Sequence, residues 1–368
     1  MENILFYAPF DGRSRDNETV MLGLKEKGYN VFFLTQLDGS TVVDFLNQHG
    51  IHAFAKPTRS RFQFINLINQ LFYFLIFCKK HKINIVFSHL EPANFIAAIG
   101  QYLIKAKVYL VRHHINEARL YGFDKSLSYK ITYKLAKKII VVSEHAKRYM
   151  VKNEGIPERK IQHINLAYDF SLYNKVNKEI SEKLRLSLDT EIILISICRF
   201  TKYKRPDTSI LTLKRLIDSG YRAKLILLGK GELETSLQEL LIKNNLKNQV
   251  IMPGHVLNVL DYLAAADFVL HPSLLDSSSV VIKEAGLLKK PVIVCQGIGD
   301  FDDYIKHEEN GLIADQTNFI EDSCKYIIKY KDLNSKKEQL GEMLYNTIYD
   351  LFDVKKILPQ YIQLLEKK

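Results

Sequence analysis

The chain has 368 residues, 47% hydrophobic and 25% charged, which is too long for one hydrophobic core and too apolar for a disordered chain, so two soluble domains are expected. Its net charge of +11 is uneven: residues 1–174 hold 24 Lys/Arg against 14 Asp/Glu (24 − 14 = +10), and residues 175–368 hold 28 against 27 (28 − 27 = +1). A basic first half suits anionic lipid, an acidic substrate or merely solubility; no recognisable nucleic-acid module accompanies it, so nucleic acid is not an expected partner.

Asn3–Ala8 reads as a buried strand, followed by the polar turn P-F-D-G-R-S-R-D-N with Gly12 and Arg13. Glu18 to Lys27 then reads as a helix closed by Gly28, and Y-N-V-F-F-L-T as a second strand. This is a Rossmann-like start. It lacks G-x-G-x-x-G and an acidic residue directly ending the second strand, which disfavours a nicotinamide or flavin cofactor. Met1-Glu2-Asn3 before I-L-F-Y-A-P lacks the basic start and long apolar run of a signal peptide. The four cysteines, Cys78, Cys198, Cys295 and Cys324, are widely spaced and form no metal-ligand cluster. A cytoplasmic protein with reduced thiols is expected.

Phe62 to Cys78 is uncharged and bracketed by Arg59, Arg61, Lys79, Lys80 and Lys82. With four amides it is short and polar for a membrane span. The plain reading is a buried crossover helix; the alternative is an interfacial helix docking on a membrane beside its basic flanks. Ile83–His89, Lys107–Arg112 (followed by His113 and His114) and Ile139–Ser143 are the next strands. Their carboxyl ends gather His89, His113 or His114, and Ser143 at one sheet edge.

The polar stretch from Asn165 to Phe170 and on through S-L-Y-N-K-V-N-K-E-I-S-E-K reads as the linker. Strands then recur at Glu191–Ser196, Ala223–Leu228, Gln249–Met252, Asp267–Leu270 and Pro291–Cys295. The expected division is 1–170, 171–349, and 350–368 as a tail helix.

The second half carries the chemistry. Arg199 ends a strand, and Lys204 and Arg205 precede Pro206, which suits a helix's first turn. Cations at a strand end and a helix start make a diphosphate clamp. In L-L-G-K-G-E-L, Gly229 and Gly231 follow a strand, where missing side chains let a base or phosphate approach; P-G-H-V repeats the device at Gly254, with His255 and Val256 next to it. Asp276-Ser277-Ser278-Ser279 forms a polar turn into the helix that begins near Val280, and Glu284 lies eight residues beyond Asp276, so both carboxylates are placed to face one ligand at the sheet's carboxyl edge.

These segments, with A-A-A-D-F-V-L-H-P-S, K-P-V-I-V and E-N-G-L-I-A in one order, resemble the carboxy-terminal domain of glycosyltransferase family 4, the glycosyl transferases group 1. The first domain is similar in outline through His113, I-I-V-V-S-E-H and N-L-A-Y-D. The resemblance implies an α/β GT-B fold: two Rossmann-like domains facing across a cleft, with the C-terminal helix crossing back to the first. It implies a retaining transfer from a nucleotide-sugar donor, a UDP- or GDP-sugar, to a glycan or lipid-linked acceptor. Such an enzyme serves bacterial surface polysaccharide or lipopolysaccharide synthesis, with no cofactor and no metal. Contact with the inner face of the membrane through the basic first domain is a further expectation.

By position, Glu284 resembles the glutamate on the ribose hydroxyls, and Arg199 and Lys204 the pair on the pyrophosphate. Asp276 stands where the family has the first glutamate of Glu-(seven residues)-Glu, against the donor sugar; His113, or the adjacent His114, resembles the histidine near the reacting sugar. Gly229, Gly231, His255, Val256, Ser277, Ser278, Ser279 and Val280 fall on the donor side, Gly12, Arg13 and His114 on the acceptor side. Three serines replace the usual G-F-G. The nearest match to a D-x-D metal motif, D-F-D-D at Asp300, Asp302 and Asp303, follows G-I-G in a loop of the second domain, and these are not assigned as ligands. The alternative left open is a non-catalytic GT-B subunit that binds a partner or membrane.

Overall fold

In the computed structural model, which describes residues 2–10, 12–57, 61–113, 123–173, 176–256 and 258–366, the apolar runs of the first half form a parallel sheet. Its strands are β1 (Asn3–Ala8), β2 (Asn30–Thr35), β3 (His52–Ala55), β4 (Ile85–His89), β5 (Lys107–Arg112), β6 (Lys138–Val141) and β7 (Ile161–His163), in the spatial order 3-2-1-4-5-6-7. The second half forms another: β8 (Ile192–Ile197), β9 (Ala223–Leu228), β10 (Val250–Gly254), β11 (Phe268–His271), β12 (Val292–Cys295) and β13 (Leu312–Ala314), ordered 10-9-8-11-12-13. In each sheet the strand order reverses once, between β1 and β4 and between β8 and β11. The crevice outside the carboxyl ends of such a pair is where open α/β sheets bind ligands.

Helices cover both faces of the first sheet, which is why its central strands are continuously apolar rather than alternating. Ile4, Phe6 and Ala8 of β1 pack with Val20, Met21 and Leu24 and with Ile357, Tyr361 and Leu364. Leu5 and Tyr7 face the opposite way, against Phe74, Ile96 and Tyr133. Paired residues such as Phe6 and Phe33 sit side by side in register.

By contacts the chain divides into Met1–Asp169 with Leu351–Lys368, and Phe170–Asp350. The tail joins the first unit by strand-like bonds: Tyr168 N–H donates to the Phe352 carbonyl at 2.8 Å, and Val354 N–H to the Tyr168 carbonyl at 2.9 Å. The helix Val354–Glu366 then packs on the helix Arg15–Glu26. A Cβ on Gly23 would stand 2.8 Å from Leu358 Cδ2, so the missing side chain is what lets the two helices approach.

Three features differ from the sequence expectation. The strands β3, β7 and β13 were not anticipated; all three are sheet edges of three or four residues, too short to carry a period. Part of the expected linker is a helix, Lys178–Leu188, whose start is capped by the Asn177 side chain accepting from Ile180 N–H at 3.2 Å. The uncharged run is the helix Gln63–Lys80, and it is apolar on its outer side as well as its buried one.

Replacing Leu358 by alanine should cost about 2–4 kcal/mol by leaving a cavity against Gly23, seen as a lower urea midpoint for the first unit. Adding Gly23→Ala to that variant should recover part of the loss, because the new methyl group enters the vacated space. Strictly additive effects would show that the tail is not docked there.

Candidate active site

At the reversal point of the second sheet, β8 runs into the loop Cys198–Arg205, and β11 ends at His271 before Pro272 stops the ladder. The two loops meet on one carboxylate. Lys204 Nζ donates to Asp276 Oδ2 at 2.7 Å, and His271 Nε2 lies 2.8 Å from the same oxygen. The Ser277 N–H donates to Asp276 Oδ1 at 3.0 Å.

Burial disfavours the charge on Asp276, but Lys204 and His271 outweigh it and hold the carboxyl well below the usual carboxylate range. Burial also lowers His271, and more strongly than Asp276 raises it, so the imidazole is neutral at pH 7. A carboxylate only accepts, so the proton of His271 sits on Nε2.

Arg205 stitches this edge together. Its Nε donates to the Pro272 carbonyl at 2.7 Å, one terminal nitrogen to the Gln316 carbonyl at 2.8 Å, and the other to Cys295 Sγ at 3.3 Å. It thereby ties the loop after β8 to those following β11, β12 and β13. Arg199, by contrast, is exposed.

Below the serine turn lies a buried ion pair, Lys283 Nζ to Asp300 Oδ2 at 2.7 Å, with the two side chains 1% and 2% exposed. Burial pushes Lys283 down and Asp300 up, each partly countered by the other. Ser278 Oγ donates to Asp300 Oδ2 at 2.5 Å and accepts from Lys283 Nζ at 2.7 Å. The Ser278 hydroxyl is thus turned into the protein. Ser279 is the N-cap of the helix Val280–Leu287 with no capping bond from its side chain. Ser277 is half-buried, Val280 is exposed, and Glu284 is buried in the second turn.

The glycines have a reason other than ligand approach. A Cβ on Gly229, at φ 140°, would lie 1.9 Å from the Cys198 carbonyl oxygen, and one on Gly231 would lie 2.5 Å from that of Phe200. Both are needed for the loop after β9 to lie against the loop after β8. His255, exposed, and Val256, half-buried, follow the end of β10. Asp302 accepts from Gly297 N–H at 3.1 Å. Among the described residues no group of three or more His, Cys, Asp or Glu is placed to hold a metal ion.

The first unit has its own polar cluster at its reversal point. His89 ends β4 and His113 follows β5, and His89 Nδ1 lies 2.9 Å from His113 Nε2. Burial, with the neighbouring ring of His113, keeps His89 well below the usual histidine range, and burial brings His113 down to about 4, so both rings are neutral at pH 7. His89 also stacks on Phe6 at 5.8 Å between centroids. Beside it, Glu91 is pushed up to about 7 by burial, despite accepting from Phe95 N–H at 3.0 Å.

Arg13 is not an open cation: it makes two 2.6 Å bonds to the buried Glu18 and lies 3.3 Å over the Phe45 ring. Gly12 is exposed, and a Cβ added to it would meet nothing within 4 Å. Ser143 caps a helix, its hydroxyl accepting from Ala146 N–H at 3.1 Å. His114 lies outside the described residues. The sequence reading gave no role to His271, Lys283 or Glu91, and placed Arg205 only among the clamp cations; a histidine ending a strand directly before a proline and a polar turn was the available signal for His271.

Comparisons with known proteins agree with this layout. The family model for glycosyl transferases group 1 matches residues 177–347, and that for glycosyltransferase family 4 matches residues 17–172. The chain is 26% identical to the N-acetyl-alpha-D-glucosaminyl L-malate synthase of Bacillus anthracis, over 73% of this chain and 71% of the relative. It is 23% identical to the capsular polysaccharide biosynthesis glycosyltransferase CapM of Staphylococcus aureus, over 80% and 79%. The crystal structure of Anabaena HepE in complex with UDP-glucose shares the fold at a TM-score of 0.83 and 18% identity, over 99% of both chains. With a Rossmann-like unit under each family model, the chain belongs to the group 1 glycosyltransferases of family 4 and has the GT-B fold.

Proposed function

We propose that this glycosyltransferase takes its sugar from a nucleoside-diphosphate donor and passes it with retention to the hydroxyl of a glycan or lipid-linked acceptor. The reading rests chiefly on Lys204, Asp276 and His271 meeting at the reversal point of the second sheet. Lys204 and Asp276 neutralise each other, so the surplus positive charge at this edge comes from Arg199 and Arg205. Arg205 is bonded to carbonyls and a thiol rather than to a carboxylate, which leaves its charge uncompensated. A diphosphate group completes that balance, with the N-terminus of the helix Val280–Leu287 beside it.

In the reaction the bond from the anomeric carbon to the diphosphate oxygen breaks, and negative charge grows on the leaving group next to these cations. The acceptor oxygen bonds to the same face of the anomeric carbon, and its proton passes to the departing phosphate. Glu284 holds the ribose hydroxyls. Asp276, kept ionised, addresses the sugar as an acceptor only. No metal is needed, because the cations of the chain neutralise the leaving group. Capsule synthesis by CapM and the glucosaminyl transfer in the name of the Bacillus relative support a surface glycan or small hydroxyl acceptor. The reaction is placed in the cytoplasm, where nucleotide sugars are made.

Lys204→Ala should lower kcat about 100- to 1,000-fold with the protein still folded, measured by nucleoside diphosphate release across a panel of UDP- and GDP-sugars. Unchanged rates would sink the clamp. The same variant leaves burial on Asp276 opposed by His271 and the Ser277 N–H without Lys204, so that carboxyl rises. Because a depressed carboxyl stabilises the fold only while ionised, the deficit in melting temperature should be largest at neutral pH and narrow below about pH 4.

His113 is displaced the other way. Its folded value of about 4 lies below the free imidazole value of about 6.5, so the unfolded chain binds the extra proton and stability falls as pH drops through that window. His113→Asn should therefore show a shallower loss of melting temperature between about pH 7 and pH 5. An identical slope would mean that the ring is charged in the fold.

A further inference from the structure

The helix Gln63–Lys80 carries large apolar side chains on two sides. Phe74, Phe77 and Cys78 are buried against the sheet, whereas Phe64, Ile65, Ile68, Phe72 and Ile76 are 71%, 44%, 37%, 62% and 61% exposed. Positions 64, 68, 72 and 76 follow one another at four-residue steps, so they form a single ridge along the outer side of the helix. The helix Ala93–Gly100 packs between this helix and the helix Phe123–Leu135 on the same face of the sheet. The segment after it adds Tyr102 and Leu103, 57% and 64% exposed, and the third helix adds Ile131 and Leu135 at 42% and 37%. Apolar side chains at this density on the outside of a folded chain mark an interaction surface.

Charge selects the occupant. Between Phe45 and Leu90 the chain has Lys56, Arg59, Arg61, Lys79, Lys80 and Lys82 and no Asp or Glu. Arg61 lies at one end of the ridge and Lys79, Lys80 and Lys82 at the other, all exposed; Lys105, Lys130, Lys134 and Lys137 are exposed around Leu103 and Leu135. Phenylalanine and isoleucine flanked by lysine and arginine, with no acid between Phe45 and Leu90, complement a lipid surface: the apolar side chains enter the headgroup–acyl boundary and the cations meet anionic headgroups. Among the described residues no helix is long and apolar enough to cross a membrane, so the contact lies in the plane of the surface. We infer that this ridge docks the protein on the surface of an anionic lipid bilayer.

The test is co-sedimentation of the full chain with vesicles of phosphatidylcholine alone or mixed in equal parts with phosphatidylglycerol. The wild-type protein should bind the mixed vesicles, less so as salt is raised and only weakly to phosphatidylcholine alone. Phe64→Ser with Phe72→Ser should weaken binding about tenfold or more, and Lys79→Glu with Lys80→Glu should reduce it to the phosphatidylcholine level. Both variants should keep the wild-type melting temperature and donor-sugar turnover, because none of these residues belongs to the donor site. Failure of the wild type to bind the mixed vesicles overturns the inference, as does equal binding by both variants. A dimer seen by sedimentation without lipid and abolished by the phenylalanine variant would assign the ridge to a second copy of the chain instead.

Discussion

A carboxylate buried at the carboxyl edge of a sheet is costly unless it is paired, and Asp276 is paired twice. That requirement shapes everything around it. Lys204 must reach across from the loop after β8, so the loop is held against β11; His271 must stay neutral with its proton on Nε2, so it cannot serve as an acid there. Arg205 extends the same lock to the loops after β12 and β13 without using a carboxylate. The result is a preformed polar layer in which the Lys204 charge is balanced locally by Asp276.

The shorter acid at position 276 fits this arrangement. An aspartate there also accepts from the next residue's N–H, so its carboxylate is drawn back into the turn as well as toward Lys204 and His271. The turn is fixed from beneath by the Lys283–Asp300 pair, which takes the Ser278 hydroxyl as its third member. A buried pair of this kind is a poor source of net stability, because desolvation of both ions offsets their attraction. Its physical effect here is geometric: the backbone between Asp276 and the helix is held in one conformation.

The parts of the molecule legible in the sequence were those with local signals. The central strands are long, apolar and followed by glycine or polar turns, so β1, β5 and β9 fall where their residues predict. The repeating strand–helix order gives two Rossmann-like sheets and the spacing after residue 354 gives a tail helix, while its return to the first unit was implied by the family resemblance. The short edge strands β3, β7 and β13 were not legible, since pairing on one side of a three- or four-residue segment is decided by its neighbour. Gly229 and Gly231 were legible as positions needing glycine, but the backbone they avoid, at Cys198 and Phe200, is about thirty residues upstream. The contact of Lys283 with Asp300 was not legible, because nothing in either segment announces the other, whereas the strand ends placed His89 and His113 at one sheet edge.

The helix Gln63–Lys80 shows the same limit from the other side. A helix apolar all round reads as buried, and the sequence does not say which of its faces the sheet takes. The fold supplies that information: Phe74 and Phe77 belong to the core beneath, which leaves the row from Phe64 to Ile76 outside. This row lies over one face of the first sheet, while His89 and His113 lie at the carboxyl ends of its strands, a different side of the same unit. A contact made through the helical layer therefore leaves that edge uncovered.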